Sequence, residues 1–371
     1  MKIIVTYASC GAGHFKAAQA LYDCLCKRLL TDEVSLVDIL DYSTWPFRAG
    51  YTSGYAWLVR SVRWIWSLGF WFTEARLTKY LTRAIASSLD HLNTRAFARF
   101  LIKEDPDVIV CTHFVPAQIA TDLKQEAKIH SRLITVVTDF GAHRFWISQC
   151  TDLYVVACEF AHAQLIEEGI REDRIKELGI PVHEKFTEKF NRKALCRQFG
   201  INDEACTVLL MTGSFGIGPL EEIVEILHEE VQVLVVCAAN RKLHKRLERK
   251  RYPKVRVFDY VENIQDLMAV SDILVTKPGG LSISEALTME VVPVLIDPIP
   301  GQEVYNSHEL KRQGVGFQPA HISEIRDIVL TLKNNPAQME HAKAKLRHYR
   351  KPNATRNICD AICKDNSRPA C

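Results

Sequence analysis

The stretch that decides the fold is TKPGGLSISEAL, residues 276–287. The run DILVTK (272–277) has the pattern of a buried strand, it ends in Pro278-Gly279-Gly280, and a helix follows. A strand that turns over glycines directly into a helix is the repeating unit of an open parallel sheet. In such sheets ligands bind at the carboxyl ends of the strands, so the loops at those ends are the candidate binding sites.

The same pattern recurs along the whole chain, because short apolar runs alternate with longer amphipathic stretches. The runs in the first half are KIIVTYA (2–8), VSLVDI (34–39), DVIVCTH (107–113), LITVVTD (133–139) and LYVVAC (153–158). Those in the second half are TVLLMTG (207–213), VQVLVVC (231–237), VRVFDY (255–260), DILVTK (272–277) and VVPVLID (291–297). Two such sets predict an α/β protein of two doubly wound, Rossmann-like domains.

The join between the domains is expected at LGIPVHEKF (178–186), where Gly179 and Pro181 interrupt the pattern. A new helix is predicted from about Asn191. The predicted domains are therefore 1–182 and 183–371, and a last helix after about Lys351 is expected to pack back on the first domain.

Length and composition set limits on function. The 371 residues exceed what one core usually serves, and the hydrophobic (47%) and charged (25%) fractions are ordinary. The net charge of +3 gives no global signal for nucleic acid. Twelve cysteines without a C-x-x-C pair indicate reduced thiols rather than disulfides or a zinc site. We find no secretory segment and no apolar run long enough to span a bilayer.

The Pro278-Gly279-Gly280 turn has the features of a diphosphate site. Gly279, Gly280 and Ser282 would expose backbone N–H groups at a helix start, which suits an anion. Glu285, one turn later, would face the same ligand and accept both hydroxyls of a ribose. The plainer alternative is a glutamate that only complements the helix dipole.

A second turn at the same sheet edge carries polar side chains. The segment DPIPGQEVYNS (297–307) follows the next strand and contains Gln302, Glu303 and Asn306. An amide and a carboxylate beside a diphosphate site match the hydroxyls of a hexose. The only D-x-D, Asp105-Pro106-Asp107, precedes a strand and is interpreted as a solvated turn, so no metal site is predicted.

Two further glycine loops follow the first strand of each half. SCGAGH (9–14) places His14 at a strand–helix junction, and TGSFGIGP (212–219) opens the second half. Glycines allow a ligand to approach the backbone closely, although G-x-G alone also fits a plain tight turn. His14 is accordingly either a catalytic imidazole or a solvated residue at a helix start.

These motifs resemble a known family. SCGAGH, VVTDFGAHRFW (136–146), VCAANRKL (236–243), TKPGGLSISEAL and PIPGQE are similar to the glycosyltransferases that make glycolipids. That family includes plant monogalactosyldiacylglycerol synthases and bacterial diacylglycerol glucosyltransferases, and it is related to the peptidoglycan transferase MurG. The resemblance implies the GT-B architecture, with two domains facing across a cleft. It also implies inverting transfer from a UDP-sugar without a metal.

The resemblance assigns roles to individual residues. For UDP binding it implies Gly213, Asn240, Val261 (through its backbone, to uracil), Gly279, Gly280, Leu281, Ser282 and Glu285. For the sugar it implies Gly301, Gln302 and Glu303. The loop TGSFGIG (212–218) departs from the glycine-richer plant enzymes, and the packing of the diphosphate there is expected to differ.

For catalysis the resemblance favours His14 as the base, with Asp139 as second candidate or as the orienting partner of a histidine. An imidazole with a pKa of about 6.5 suits proton uptake near neutral pH. Asp139, His143 and Trp146 match the family pattern T-D-x-x-x-H-x-x-W. Trp146 is assigned to the acceptor and membrane side.

Five of the six tryptophans fall between residues 45 and 71, in a stretch that is rich in arginine and lacks acidic residues. As a helix, 57–75 would be an amphipathic element too short to span a bilayer and suited to its interface. Packing beneath the first sheet is the alternative. The predicted acceptor and membrane residues are Trp57, Arg60, Arg63, Trp64, Trp66 and Trp71.

The leading hypothesis is a hexosyltransferase, peripheral on the inner face of the cell membrane, that uses UDP-glucose or UDP-galactose and diacylglycerol. No cofactor is expected, and an anionic lipid surface is expected as partner and activator. A MurG-like transferase with a polyprenyl-linked acceptor and a UDP-sugar-sensing regulator remain open as alternatives.

Overall fold

The structure is a computed structural model of the protein, and it describes residues 1–9, 11–54, 93–298 and 301–364. The chain divides into two compact units. The first consists of 1–183, 300–305 and 352–371, and the second of 184–299 and 306–351. Both are parallel α/β sheets flanked by helices, as predicted from the apolar runs.

The first unit contains a six-stranded parallel sheet in the order β2-β1-β3-β4-β5-β6. Its strands are β1 (Lys2–Tyr7), β2 (Glu33–Asp38), β3 (Val108–Cys111), β4 (Arg132–Val136), β5 (Leu153–Val156) and β6 (Ile175–Glu177). Its helices are α1 (Ala12–Arg28), α2 (Trp45–Ala49), α3 (Arg95–Glu104), α4 (Phe114–Gln125) and α5 (Glu159–Glu167). The central strands β3, β4 and β5 are buried along their whole length, as expected for strands covered on both faces.

The second unit contains a five-stranded parallel sheet. Its strands are β7 (Thr207–Met211), β8 (Gln232–Val236), β9 (Val255–Phe258), β10 (Ile273–Thr276) and β11 (Val292–Leu295). Its helices are α6 (Arg192–Phe199), α7 (Leu220–Leu227), α8 (Arg241–Lys250), α9 (Ile264–Ala269), α10 (Gly280–Thr288), α11 (Gln302–Arg312), α12 (Glu324–Asn334) and α13 (Pro336–Tyr349). The order β11-β10-β7-β8-β9 places β7 and β10 side by side, and α11 begins within the 300–305 segment of the first unit.

The last described helix, α14 (Ala354–Lys364), belongs to the first unit. Its buried residues Ile358 and Ile362 join the core that Ile3 and Val5 of β1 form with Leu21 of α1. Arg132, buried in β4, donates to the backbone carbonyl of Ile362 at 3.2 Å. The sequence-remote end of the chain thus completes one face of the first sheet.

The Asp105-Pro106-Asp107 segment serves the backbone of the first unit. Asp105 ends α3 with a left-handed φ of 38°. The Asp107 carboxylate accepts the Lys2 backbone N–H at 2.8 Å, at the amino end of β1. The Asp105-Pro106-Asp107 segment therefore precedes β3 at the sheet edge opposite the strand–helix loops.

Candidate active site

His14 lies in the first turn of α1, where three loops of the first sheet meet. Because β1, β3 and β4 are neighbours and parallel, the segments that follow them emerge at the same edge. His14 Nδ1 lies 2.8 Å from the carbonyl oxygen of Thr112, after β3. The same nitrogen lies 2.9 Å from Oγ1 of Thr138, after β4. The imidazole is therefore held from two neighbouring loops.

These contacts determine the tautomer of His14. A backbone carbonyl only accepts hydrogen bonds, so Nδ1 carries the proton and donates it to Thr112. Thr138 Oγ1 can accept from the same N–H. The ring nitrogen that remains unprotonated is Nε2, which is the atom a general base requires. Thr112 further fixes this turn, because its hydroxyl donates to the His14 carbonyl at 3.0 Å.

Burial favours the neutral form of His14. Burial lowers the pKa of His14, and the charge of Asp139 and the bond to Thr112 oppose that effect only in part. An imidazole with a lowered pKa is unprotonated at neutral pH. Asp139 is close enough to stabilise the protonated ring electrostatically, which is the charge that a base acquires during a reaction.

A second histidine, His113, stands beside His14 and was missed by the sequence analysis. The two ring centroids are 4.7 Å apart in an edge-on arrangement. His113 Nδ1 accepts the Val115 N–H at 3.1 Å and so caps α4. Burial, with a smaller contribution from His14, lowers the pKa of His113 well below its usual value. The available signal was its position, since it follows β3 directly in the predicted run DVIVCTH.

Trp146 packs inside the first unit. Its side chain is 2% exposed, and its ring centroid lies 6.3 Å from that of His14 and 6.4 Å from that of His113. The hydroxyl of Tyr154 donates to the Trp146 carbonyl at 3.1 Å. The prediction of membrane contact is wrong for Trp146, because the short helix Arg144–Trp146 turns the ring into the core. A place beside the acceptor stays a prediction.

His143, the histidine of the T-D-x-x-x-H-x-x-W pattern, has a structural use. It is buried, and its Nδ1 accepts the Phe145 N–H at 3.2 Å. This bond caps the Arg144–Trp146 helix. His143 therefore shapes the wall around Trp146.

In the second unit, the Pro278-Gly279-Gly280 turn has an open backbone. Gly279 caps α10 with an ordinary φ of −73°, and a Cβ added there would meet nothing within 4 Å. No contact with the described part of the chain therefore explains the glycine, whereas a ligand lying against the backbone would. The N–H groups of the first turn, Gly280 to Ser282, have no intrahelical carbonyl to bond. N–H groups in this position, at the positive end of a helix dipole, are suited to bind an anion, and their contact with a diphosphate stays a prediction.

Side chains around this turn hold it in place. Asn306 is fully buried, and its Nδ2 donates to the Pro278 carbonyl at 2.9 Å, so its amide positions the turn. Lys277 is 7% exposed and lies 3.7 Å from the Asp297 carboxylate. Glu285 is buried within α10, one turn beyond the glycines. Its predicted bonds to a ribose stay a prediction.

The loop after β7 lies against the loop after β8. Asn240 Nδ2 donates to the Gly216 carbonyl at 3.1 Å, and its Oδ1 accepts the Leu243 N–H at 3.2 Å. Both ends of the Asn240 amide thus serve the protein. Gly213, by contrast, has a φ of +76° and open space around its α-carbon. Among the residues described, Thr212 Oγ1 is buried without a hydrogen-bond partner.

The remaining predicted ligand residues also stand at loops after strands. Val261 follows β9 and is partly exposed, with backbone groups available before α9. Gly301 has a φ of +109° and precedes Gln302 and Glu303, which begin α11. Leu281 is buried and anchors the start of α10. The structure places each of these residues, and their contacts with UDP or sugar stay predictions.

The predicted membrane residues Trp57, Arg60, Arg63, Trp64, Trp66 and Trp71 lie outside the described residues. The interfacial-helix hypothesis for that stretch therefore stays a prediction. Within the described parts of the chain, no helix is long and apolar enough to cross a membrane.

The fold is the GT-B architecture, which glycosyltransferases and some epimerases share. MurG of Acinetobacter baumannii matches with a TM-score of 0.58 and 14% identity over 98% of this chain and all of that one. The UDP-GlcNAc 2-epimerase of Neisseria meningitidis, bound to UDP-GlcNAc, matches with a TM-score of 0.62 and 12% identity over 98% of this chain and all of that one.

Sequence comparisons give the family. The monogalactosyldiacylglycerol (MGDG) synthase family matches residues 14–182, and the UDP-N-acetylglucosamine 2-epimerase family matches 141–363. A processive diacylglycerol β-glucosyltransferase of Staphylococcus carnosus is 29% identical over 70% of this chain and 67% of its own. One of Bacillus cereus is 26% identical over 98% and 94%.

The 2-epimerase model covers more than half of the chain, so the chain belongs to that family, and it is also similar to the monogalactosyldiacylglycerol synthases and to the processive diacylglycerol glucosyltransferases. This similarity confirms the predicted resemblance to the glycosyltransferases that make glycolipids. It also confirms the predicted two-domain GT-B fold.

Proposed function

We propose that the protein transfers a hexose, glucose or galactose, from a UDP-sugar to the hydroxyl of diacylglycerol at a membrane surface, with inversion at the anomeric carbon. The single observation that carries the proposal is the bond from His14 Nδ1 to the Thr112 carbonyl. It leaves Nε2 as an unprotonated base at the edge of the first sheet. His14 begins the region, residues 14–182, that is similar to the monogalactosyldiacylglycerol synthases. The nearly full-length match to diacylglycerol glucosyltransferases supports the choice of acceptor.

In the proposed step, His14 Nε2 takes the proton of the acceptor hydroxyl while the hydroxyl oxygen attacks the anomeric carbon. The bond from that carbon to the β-phosphate oxygen breaks on the opposite side, and its electron pair leaves with UDP. A single displacement of this kind inverts the configuration. Asp139 stabilises the resulting imidazolium. Since the pKa of His14 is lowered, activity should be lost only as the pH falls below about 6.5.

On the donor side, negative charge grows on the departing UDP. The first-turn N–H groups of α10 are fixed in advance and would bond the diphosphate, with Gly279 allowing close approach. Glu285 would accept the ribose hydroxyls, and the backbone near Val261 would bond uracil. Gln302 and Glu303 would bond the hexose.

For the acceptor to be reached, the protein would work at a lipid surface, peripheral on the inner face of the cell membrane where UDP-sugars are made. The tryptophan-rich stretch 45–71 supports this location through its composition. Anionic lipids would attract its arginines and thereby raise the activity.

The test uses liposomes that contain diacylglycerol and phosphatidylglycerol. UDP-glucose, UDP-galactose and UDP-N-acetylglucosamine are supplied separately, and the lipids are analysed by mass spectrometry and the anomeric configuration by NMR. A hexosyl-diacylglycerol of inverted configuration from one donor supports the proposal and identifies the sugar. No lipid product from any donor, despite UDP binding, contradicts it and favours a polyprenyl-linked acceptor or a sugar-nucleotide sensor.

A second candidate function is epimerisation of UDP-N-acetylglucosamine at C2. The observation that favours it is the match of residues 141–363 to the 2-epimerase family. The same donor incubated without lipid distinguishes the two, because an epimerase would convert it to the C2 epimer. The transferase proposal predicts an unchanged sugar nucleotide.

A further inference from the structure

Helix α8 of the second unit carries a dense positive charge that the proposed reaction does not use. Residues 241–254 contain eight lysines and arginines and a single carboxylate, Glu248, although the net charge of the whole chain is only +3. The helix packs on the sheet through Leu243 and Leu247, which are buried. Its basic side chains therefore project away from the core.

Five of the six cations on α8 fall into two groups, and the sixth, Arg241, begins the helix. One group is neutralised by α7, because Arg246 pairs with Glu221 at 2.9 Å and Lys250 pairs with Glu221 and Glu225. These pairs secure α8 to its neighbour along one side.

The second group is Lys242, Lys245 and Arg249, which we call the basic face of α8. All three are exposed, and among the described residues none has an ion pair or a side-chain hydrogen bond. Their i, i+3, i+7 spacing places them in one row about 10 Å long. Glu248 of the same helix lies 3.9 Å from His244 and points away from the row.

We propose that the basic face of α8 binds the headgroups of an anionic lipid bilayer and thereby holds the second unit at the membrane. This proposal rests on the proposed function, which places the acceptor in a bilayer. A straight row of unpaired cations on a helix anchored by its other side is complementary to a flat negative surface. A groove-reading role in nucleic acid is less suited, because α8 lies along the sheet rather than projecting from it.

The test compares two triple variants of the full chain. K242Q/K245Q/R249Q removes the basic face, and K189Q/K193Q/K311Q removes three exposed lysines of the same unit that lie elsewhere. Both variants lose three positive charges, so their net charge is the same. Cosedimentation is measured with vesicles of phosphatidylcholine and phosphatidylglycerol in equal parts and with phosphatidylcholine alone.

We expect the basic-face variant to bind the mixed vesicles about tenfold or more weakly, whereas the control variant binds like wild type. High salt should abolish the difference. Equal binding by the two variants would overturn the proposal. So would a loss of duplex DNA binding by the basic-face variant with its vesicle binding unchanged.

Two further measurements keep the result interpretable. K242R/K245R/R249K keeps the charges and should restore binding, and failure to do so would contradict an electrostatic contact. Hexosyl transfer to detergent-dispersed diacylglycerol is measured in parallel. If wild-type protein binds anionic vesicles through α8 but transfers no hexose, the proposed function alone is contradicted. If it transfers hexose but the basic-face variant binds vesicles like wild type, only the proposed docking surface is contradicted.

Discussion

The loop of Gly11 and Gly13 in the first unit and the turn 278–280 in the second have the same local design, yet they present different chemistry. Both follow a buried strand, both contain glycines whose added Cβ would meet nothing within 4 Å, and both begin a helix. The first presents an imidazole fixed by Thr112 and Thr138. The second presents backbone N–H groups. The chemistry of each loop is therefore determined by the neighbouring strands and not by its glycines.

The largest expected effect comes from removing the imidazole. His14→Ala should lower kcat by about 10²- to 10⁴-fold, because general-base assistance is lost while the donor site is untouched. Steady-state transfer from UDP-sugar to diacylglycerol measures it. His130→Ala, at an exposed histidine, is the control and should behave like wild type.

The free energy of unfolding should distinguish a glycine that packing requires from a glycine with open space around its α-carbon. A Cβ at Gly216 would lie 2.0 Å from the Cys237 carbonyl oxygen, and φ is +57°. Gly216→Ala should therefore lower the free energy of unfolding by about 1 to 3 kcal/mol or more, as measured in urea. Gly213→Ala also has positive φ but no clash, and it should cost less. Equal losses would contradict the steric explanation.

Donor affinity should respond to the open glycine of the second unit. Gly279→Val adds a side chain where only a ligand would meet it, so UDP should bind about tenfold or more weakly, which corresponds to about 1.4 kcal/mol. Calorimetric titration with UDP measures this, and thermal unfolding should be unchanged. Gly50→Val, at another open glycine, is the control. Normal UDP binding by Gly279→Val would remove the anion site from α10.

A smaller effect is expected from the second contact of the imidazole. Thr138→Val removes the hydroxyl 2.9 Å from His14 Nδ1 but keeps the shape of the side chain. The Thr112 carbonyl still orients the ring, so kcat should fall only about two- to tenfold. Thr138→Ser should restore the rate. An effect as large as that of His14→Ala would mean that Thr138 acts on the substrate itself.

The smallest effect concerns pH and stability. The pKa of His113 is lowered by folding, so below about pH 6.5 the unfolded chain binds a proton that the folded chain does not. The free energy of unfolding should then fall as the pH falls, by up to about 1.4 kcal/mol per pH unit for this group. His113→Asn, which can still cap α4, should flatten that dependence in urea titrations. His130→Asn should leave it unchanged.

Much of the fold could be predicted because buried parallel strands are written as apolar runs. All ten predicted runs overlap a strand, and the helix expected near Asn191 begins at Arg192. Strand β6 was missed because Ile175–Glu177 is short, lies at the sheet edge and has one buried residue. Its polar side chains leave no apolar run to detect.

The site was harder to predict than the fold, because its contacts join residues far apart in the chain. The run DVIVCTH predicted β3, but the sequence could not indicate that His113 would stand edge-on to His14. Trp146 was predicted to face the acceptor and membrane, like the other tryptophans. It does not contact a membrane, because Tyr154 and the Arg144–Trp146 helix hold it inside the first unit. Asn240 and Asn306 matched ligand patterns, yet their amides bond the protein's own loops.

The two loops are expected to have separate roles: His14 in the first acts as the base, and Gly279 in the second allows the donor to bind. The most direct measurement takes His14→Ala and Gly279→Val side by side through UDP titration and a single-turnover transfer with saturating enzyme. We expect His14→Ala to bind UDP like wild type and to form product about 10²- to 10⁴-fold more slowly, whereas Gly279→Val should bind UDP weakly and still turn over the donor that it binds. Wild-type turnover by His14→Ala would contradict the account.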